Sequence, residues 1–319
     1  KNNAGNKIIR LSIKEGAVDI GNTTDTNRTA IKKQAYQLTL QQQNISITAN
    51  APQGLFYGVQ TLLQSMEAIN GKSYFTTGEI VDWPDLDLRT MYWDDAHHLE
   101  RLDAMKRAIK QASYYKINGF ALKLEGHFEF ASAQPVVEPY AYTAKEYQEL
   151  TDYARSLYIE LIPFLDAPAH IAFILKHPEY KDLRAFPNSN YDLSVVSSKA
   201  DTLILKMFDD LFAANKGGKY VVFSTDEAYY TGKAPGDKQR AAALGGNGKL
   251  LAEYITRIGN QLHQRGRKVI IWTEYPMKKE DIKNIPSHII SGVYNPDWAQ
   301  AIKAHGMRQQ IYTSTQGVE

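Results

Sequence analysis

The segment VVFSTDEAYY, Val221 to Tyr230, places two carboxylates side by side directly after a run of β-forming residues. Asp226 and Glu227 cannot both ionise freely in one site, and a raised pKa on one of them is what a general acid needs near neutral pH. Adjacent strand residues point to opposite faces, so both reach one site only if the backbone leaves the strand at Asp226. The pair therefore indicates acid–base chemistry, although acidic residues are also common in the turn after a strand.

Polar and aromatic side chains also end six further apolar runs between Arg89 and the end of the chain. They are Asp94 and Asp95, Lys123 and Glu125, Asp166 and His170, Trp272 and Glu274, Tyr294, and Tyr312. Carboxylates bind sugar hydroxyls, and aromatic faces stack on the apolar side of a pyranose ring. The mixture predicts a carbohydrate-binding pocket and a carbohydrate substrate, an oligosaccharide or a glycoconjugate.

Other chemistries find little support in the sequence. The chain has no cysteine, no HExxH spacing and no glycine-rich phosphate loop after a strand, and Ser224 lacks the nucleophile-elbow pattern. Asp166 and His170 could ligate a cation, but a His–Asp pair that holds a loop is the favoured interpretation. We therefore expect no cofactor and no metal ion.

Composition excludes two classes of partner. The 319 residues are 43% hydrophobic and 23% charged, as in a globular protein, with a formal net charge of +2 and no basic cluster, which argues against nucleic-acid binding. No stretch approaches the roughly 18–20 apolar residues of a membrane span. The chain begins without Met or a leader, which indicates a processed or truncated chain. An extracytoplasmic location, periplasmic or secreted, is the expectation, and the oligomeric state is not readable.

The chain divides into two predicted domains. Residues 1–82 combine a strand hairpin with an amphipathic helix and predict a small N-terminal α+β domain. Residues 83–319 repeat an apolar run followed by a helix, one of which begins with a capping box at Thr143. This α/β pattern predicts a TIM (β/α)8-type barrel as the catalytic domain, C-terminally incomplete because only seven runs are visible. An open doubly wound sheet is the alternative.

Several motifs resemble those of one enzyme family. APQGLFYGVQTLLQ is similar to the N-terminal domain of glycoside hydrolase family 20, the β-N-acetylhexosaminidases. LDLRTMYWDDAHH resembles its first barrel strand, with Arg89 on the family's sugar-gripping arginine. DAPAH, Asp166 to His170, matches its Asp-x-Pro-x-His, STDEA falls where the family carries its Asp-Glu pair, and GRKVIIWTEYP matches the strand that supplies a pocket tryptophan, Trp272. The resemblance covers nearly the whole chain.

The resemblance implies a retaining mechanism in which the acetamido carbonyl of the substrate is the nucleophile. Asp226 would orient the acetamide and stabilise the oxazolinium intermediate, and Glu227 would protonate the leaving oxygen and then activate water. The implied substrate carries a terminal β-linked GlcNAc or GalNAc. The substrate-binding residues expected in the pocket are Arg89, Asp166, His170, Trp272, Glu274 and Tyr294.

Two departures separate this chain from the usual family pattern. The family has His-x-Gly-Gly before the acid pair, where this chain has Val222-Phe223-Ser224-Thr225. Its second strand continues as ALKLEGHFEF, without the family's His-Trp-His-Leu-Thr-Asp-Asp-like sequence. The chain is closer to a divergent branch whose pair reads Asp-Glu-Ala. Two alternatives stay open: a glycosidase for a sugar without the acetamide, and a catalytically impaired carbohydrate-binding relative.

Overall fold

A computed structural model describes residues 8–294 and 296–312. The chain forms two compact units. The first contains the residues up to Met91, together with Ala108–Gly119 and Leu157–Ile159, and the second contains the remainder. The domain boundary expected between residues 82 and 83 stays a prediction.

The first unit is built from short strands and two helices. In chain order these are β1 (Ile8–Ile13), α1 (Arg28–Lys32), β2 (Tyr36–Leu40), β3 (Asn44–Ala49), α2 (Pro52–Gln64), β4 (Glu67–Ile69), β5 (Lys72–Tyr74) and β6 (Gly78–Asp82). Four strands form one sheet in the order β1-β3-β2-β6, and β4 pairs with β5. The antiparallel β2–β3 pair is the hairpin expected from the alternating sequence.

The core of the first unit lies between this sheet and α2. Alternate residues of β2 are buried, which is the period-2 pattern of a strand with one covered face. Tyr36 and Leu38 from β2, Ile47 from β3, and Tyr57 and Leu62 from α2 belong to one buried cluster. The helix approaches the sheet closely because it presents a glycine, Gly58, at the contact.

The part of the chain that follows β6 alternates strands with helices, and it belongs to the second unit except for the residues up to Met91, Ala108–Gly119 and Leu157–Ile159. Its elements are β7 (Thr90–Asp94), α3 (Leu102–Tyr114), β8 (Gly119–Lys123), α4 (Ala144–Ser156), β9 (Glu160–Asp166), α5 (Ala172–Leu175), α6 (Ser198–Ala213), β10 (Tyr220–Ser224), α7 (Pro235–Leu244), α8 (Asn247–Gln264), β11 (Lys268–Trp272), β12 (Ile290–Val293), α9 (Pro296–Ala304) and β13 (Gln309–Ile311). Short 3₁₀ segments span Glu125–His127, Ala131–Val136, Pro178–Leu183 and Lys279–Asn284. The end of the seventh apolar run, residues 313–315, lies outside the described residues.

The seven strands form one sheet in unbroken sequence order from β7 to β13. A doubly wound sheet reverses its strand order at a switch point, and this sheet does not, which rules out the open-sheet alternative. Each strand is followed in the sheet by the next strand of the sequence, and right-handed connections of this kind all place their helices on the same face of the sheet. The sheet therefore curls, with the helices outside, as in a barrel. The predicted α/β fold is confirmed as a TIM-type barrel lacking one strand in the described part of the chain.

Local signals read from the sequence act as expected in this unit. The Thr143 hydroxyl accepts from the Glu146 N–H at 3.1 Å, and the Thr143 N–H donates to the Glu146 carboxylate at 2.9 Å, so the capping box at the start of α4 is formed. Strands β8 and β10 are buried along their whole length, as strands covered on both faces are. Among the described helices, none has both the length and the apolarity to cross a bilayer.

Gly58 offers a test of the packing in the first unit. A Cβ at this position would lie 2.5 Å from Ile47 Cγ2 and 3.0 Å from Tyr36 Cδ2. We expect Gly58→Val to lower the free energy of unfolding in urea by about 1–3 kcal/mol, because the added volume overpacks the core. Gly78→Val is the control, since no atom lies within 4 Å of a Cβ there. Equal stability of the two variants would contradict close packing of α2.

Candidate active site

The chain leaves β10 at Ser224 and turns sharply over the next three residues. The Thr225 hydroxyl donates to the carbonyl oxygen of Trp272 at 2.6 Å, which ties the turn to the neighbouring strand β11. Glu227 has a φ of +44°, in the left-handed region that a glutamate rarely adopts. This turn brings the neighbouring side chains of Asp226 and Glu227 to one site, as the adjacent pair required.

Glu274, two residues after the end of β11, holds that turn. Its Oε1 accepts the backbone N–H of Glu227 at 2.7 Å. Burial, and then the hydrogen bond and negative charge of Asp226, raise the pKa of Glu274 to about 8. Glu274 is therefore mainly protonated at neutral pH and can donate a hydrogen bond to Asp226, which reduces the repulsion within the cluster.

The carboxylate of Glu227 is surrounded by hydrogen-bond donors. The Tyr229 hydroxyl donates to Oε1 at 2.6 Å and the Tyr191 hydroxyl donates to Oε2 at 3.3 Å. His170 Nε2 lies 3.2 Å from the same Oε2. The Tyr229 hydrogen bond is the main reason why the pKa of Glu227 is lowered. The sequence predicted a raised pKa for one acid of the Asp226–Glu227 pair. The raised pKa belongs instead to the neighbouring Glu274, and the pKa of Glu227 is lowered.

His170 connects the two acids of the pair. Its φ is +55°, and its Nε2 lies 3.6 Å from Asp226 Oδ2 and 3.0 Å from the Tyr191 hydroxyl. One ligand atom each from His170, Asp226 and Glu227 lies within 4.8 Å of the others, so these three could hold a cation. The tyrosine hydroxyls already donate to Glu227, which is the arrangement of a hydrogen-bonded acid–base site. The absence of a metal and of a cofactor stays a prediction.

A second charged cluster lies at the ends of β7, β8 and β9. Lys123 Nζ lies 2.8 Å from Asp166 Oδ2, 3.2 Å from Glu125 Oε1 and 3.9 Å from Asp94 Oδ2. Burial alone would lower the pKa of Lys123, but attraction to Asp166, Glu125 and Asp94 raises it above its usual range. Asp166 is only 3% exposed, so it supports Lys123 instead of facing solvent.

Aromatic side chains form another side of the site. The Trp272 ring centroid lies 5.3 Å from that of Tyr294 and 4.1 Å from that of Tyr312. In the described part of the chain, the buried Trp272 indole Nε1 has no hydrogen-bond partner. A buried donor without a partner costs free energy, and a ligand oxygen would satisfy it.

Arg89 directly precedes the amino end of β7, and the expectation that it lines the pocket stays a prediction. The hydrogen bonds from Asn118 N to Arg89 O and from Asp95 N to Lys123 O show that β7 and β8 run parallel, with Arg89 before their amino ends. Its guanidinium donates to the carbonyls of Lys116 and Leu86 at 2.7 Å each. Arg89 thus closes a turn of the first unit, whereas Glu227 follows the carboxyl end of β10.

The other predicted residues are all found at carboxyl ends of strands. They are Asp166, His170, Asp226, Glu227, Trp272, Glu274 and Tyr294. Two tyrosines that contact the acid were not predicted. Tyr229 lies within the segment Val221 to Tyr230, which the sequence had indicated as acidic, but Tyr191 lies in an irregular segment between α5 and α6 that carries no periodic signal.

A cavity of about 780 Å³ lies apart from these residues, lined by Glu100, Lys106, Tyr140 and others.

Two family models match the chain. The model described as "Glycosyl hydrolase family 20, domain 2" matches residues 2–83. The model described as "Glycosyl hydrolase family 20, catalytic domain" matches residues 87–315, which is more than half of the chain.

Curated relatives have hexosaminidase names. The β-hexosaminidase of Akkermansia muciniphila is 24% identical over 201 residues, covering 57% of this chain and 40% of that protein. The β-hexosaminidase of Porphyromonas gingivalis is 24% identical over 287 residues, which are 76% of this chain and 36% of that protein. Hexosaminidase D of Bos taurus is 25% identical over 183 residues, which are 56% of this chain and 49% of that protein. The chain spans less than half the length of each of these relatives.

Solved structures share the fold. The structure of the exo β-N-acetylglucosaminidase of Vibrio harveyi in complex with N-acetylglucosamine matches with a TM-score of 0.77 at 19% sequence identity. The match covers 97% of this chain and 52% of the Vibrio harveyi chain. The structure of the β-N-acetylhexosaminidase of Streptomyces coelicolor matches with a TM-score of 0.74 at 21% sequence identity, and the match covers 97% of this chain and 64% of that chain.

The raised pKa of Glu274 predicts a pH dependence of stability. Between about pH 4.5 and pH 8 the folded protein holds a proton on Glu274 that the unfolded chain has lost, so the free energy of unfolding falls as pH rises through this window. Glu274→Gln can still accept the Glu227 N–H but cannot ionise. Urea unfolding from pH 5 to 8 should therefore show a shallower decline for this variant. The exposed-site variant Glu179→Gln should keep the original slope, and three parallel curves would contradict the assignment.

Proposed function

The chain belongs to glycosyl hydrolase family 20, and from that premise we propose that it removes terminal β-linked N-acetylhexosamine, GlcNAc or GalNAc, from oligosaccharides or glycoconjugates. The reaction retains the anomeric configuration, and the acetamide carbonyl of the substrate is the nucleophile. This family mechanism is one in which the protein supplies no nucleophile of its own.

The observation that carries the proposal is the closeness of the two acids. A carboxylate oxygen of Asp226 and one of Glu227 lie within 4.8 Å of each other. An inverting glycosidase separates its carboxyl groups by about 6.5–9.5 Å to admit a water molecule between them. This short separation does not fit an inverting pair. It fits a retaining reaction in which the acetamide carbonyl attacks the face of the anomeric carbon opposite to the leaving oxygen, with Asp226 beside the acetamide and Glu227 beside the leaving oxygen.

In the proposed reaction Asp226 acts on the acetamide. A carboxylate that accepts the acetamide N–H orients the carbonyl oxygen towards the anomeric carbon. Its negative charge also stabilises the positively charged oxazolinium ring as that ring forms. The protonated Glu274 beside it helps to keep Asp226 in place without adding a second full charge.

In the proposed reaction Glu227 is the general acid for the leaving group. It would donate a proton to the glycosidic oxygen and later accept a proton from the attacking water. In the free protein its pKa is lowered, chiefly by Tyr229. Bound sugar would bury Glu227 further, and burial raises a carboxyl pKa. The Tyr229 and Tyr191 hydroxyls then stabilise the carboxylate that remains after proton transfer.

A second candidate uses the same geometry differently. The short separation of the two acids also fits a glycosidase in which Asp226 attacks a sugar that has no acetamide. No described contact of Asp226 favours this role over orientation of an acetamide.

The partner in either case is a carbohydrate. We propose an extracytoplasmic location as well, and the complete lack of cysteine, hence of thiols open to oxidation, is compatible with it.

Two substitutions test the roles of the pair. Asp226→Asn should lower kcat on every β-N-acetylglucosaminide by about 10²–10³-fold, because it removes the charge that faces the cationic intermediate. Glu227→Gln should lower kcat strongly for alkyl leaving groups and less for nitrophenol, which departs with little protonation. Steady-state kinetics of both variants, with Glu179→Gln as the unaffected control, measure these losses.

The competing outcomes are distinct. A thiazoline analogue of the oxazolinium ring should inhibit the protein far more strongly than N-acetylglucosamine binds. If β-glucosides react as fast as β-N-acetylglucosaminides and the thiazoline has no effect, Asp226 is the nucleophile and the acetamide takes no part. If sugars bind and none is hydrolysed, the protein is a carbohydrate-binding relative.

A further inference from the structure

Asp192 is a carboxylate buried next to the site, in the irregular segment between α5 and α6, and only 1% of it is exposed. Its Oδ2 accepts the backbone N–H of Tyr230 at 2.7 Å. The residue before Asp192 in the chain is Tyr191, and the residue before Tyr230 is Tyr229. Each of these preceding tyrosines donates its hydroxyl to Glu227, so the contact joins the two segments that hold this acid.

The Asp192 side of this contact is anchored in the loop that follows β9. The Leu193 N–H donates to the carbonyl oxygen of Pro168 at 2.9 Å. The Ile171 N–H donates to the carbonyl oxygen of Tyr191 at 3.3 Å. Hydrogen bonds on both sides of Asp192 therefore tie its backbone to the segment that follows β9.

The Tyr230 side of the contact lies in a turn whose neighbouring hydrogen bonds are local. The Tyr229 N–H donates to the Glu227 carbonyl at 2.6 Å. The Thr231 N–H donates to the Ala228 carbonyl at 3.3 Å. Of these three N–H groups, that of Tyr230 is the one that reaches another segment. Loss of its acceptor would leave a backbone donor unpaired, which is unfavourable, and would free the turn to shift.

We propose that Asp192 is a positioning residue for Glu227, which keeps the hydroxyls of Tyr191 and Tyr229 on the carboxylate of this acid. The proposal rests on the function proposed above, in which Glu227 protonates the leaving oxygen, and it adds a residue that acts without touching the sugar. The two hydroxyls stabilise the carboxylate that remains after proton transfer. Displacing them should therefore slow the reaction most where the leaving group needs a proton.

The contact requires an acceptor oxygen at Asp192 and not a charge. Burial raises the pKa of Asp192 to about 7 against the opposing effect of the Tyr230 hydrogen bond, and the negative charge of Asp237 adds to the rise. Both the neutral and the charged form are thus present at pH 7, and both keep an oxygen that can accept the N–H. In the described part of the chain the other oxygen, Oδ1, has no hydrogen-bond partner, so the side chain acts through the Tyr230 contact. Asp192→Asn should preserve this contact, and Asp192→Ala should remove it.

Leaving groups of different acidity test the role of Asp192. On methyl β-N-acetylglucosaminide, Asp192→Ala should lower kcat by about tenfold, the effect of one lost hydrogen bond, whereas Asp192→Asn should stay within about twofold of the wild type. On the nitrophenyl glycoside both variants should stay within about twofold, because nitrophenol departs with little protonation. KM should change little in either variant.

Asp210→Ala is the matched control. Asp210 also accepts a backbone N–H from another segment, that of Ser132 at 2.8 Å, and its substitution should leave kcat on both glycosides unaffected. Urea unfolding of each variant shows whether it is folded. If Asp192→Ala does not fold, Asp192→Ser takes its place, because serine lacks the carboxylate oxygen that accepts the Tyr230 N–H.

A double-mutant cycle tests whether Asp192 acts through the hydroxyl of Tyr229. Two residues that act through one contact give a combined loss smaller than the product of their separate losses. We expect Tyr229→Phe to lower kcat on the methyl glycoside by a smaller factor in Asp192→Ala than in the wild type. Equal factors in the two backgrounds would overturn the proposal.

The remaining outcomes separate the proposal from the proposed function. Equal losses of Asp192→Ala on the two glycosides, no loss on either, or an Asp192→Asn variant as slow as Asp192→Ala overturns the positioning role and leaves the function standing. If the wild-type protein hydrolyses neither glycoside, the proposed function fails, and an NMR titration of the Glu227 carboxyl group decides for Asp192. The Tyr229 hydrogen bond lowers the pKa of Glu227, so a higher pKa in Asp192→Ala, but not in Asp192→Asn, supports the role, and an unchanged pKa overturns it.

Discussion

The hydrogen bond from the Glu227 backbone N–H to Glu274 is the contact on which the rest of the site depends. Two neighbouring residues of a strand point to opposite faces, so a side-by-side acid pair has no common site unless the chain turns. Glu227 makes that turn in a left-handed conformation, which costs about 1–3 kcal/mol for such a residue. Two hydrogen bonds offset this cost: the one that the Glu274 carboxylate accepts from the Glu227 N–H, and the one that the Thr225 hydroxyl donates to the Trp272 carbonyl.

The same contact sets the distribution of charge. Glu274 is pressed against Asp226, and burial keeps a proton on it. Asp226 therefore meets a neutral neighbour, while Glu227 meets the hydroxyls of Tyr229 and Tyr191. Three carboxyl groups can share one site because each has a different environment. Asymmetry of this kind is how acid and base roles are divided among like groups.

Much of this architecture was predictable because its signals are local. Alternation in β2, the capping box of α4 and the apolar runs of the barrel are set by residues near in sequence, and polar side chains after parallel strands must gather at one edge. Arg89 directly precedes the strand that begins at Thr90, and its place in the pocket stays a prediction. Tyr191 comes from an irregular segment, and its approach to Glu227 depends on tertiary structure alone.

The protonation of Glu274 had no sequence signal either. A carboxyl pKa depends on which groups lie within a few ångströms, and Asp226 is 48 positions away in the chain. The sequence predicted that a raised pKa would occur in this cluster, but the residue that bears it follows from burial and from the Asp226 contact.

The pH dependence of kcat/KM on a nitrophenyl β-N-acetylglucosaminide, whose leaving group needs little protonation by Glu227, tests this distribution of charge most directly. Below about pH 8 Glu274 keeps its proton and Asp226 faces a neutral neighbour, whereas above that pH a third negative charge enters the cluster. The account predicts an alkaline limb with an apparent pKa near 8 in the wild-type protein, and a shift of that limb to higher pH, or its loss, in Glu274→Gln. An alkaline limb that is the same in both proteins would contradict it.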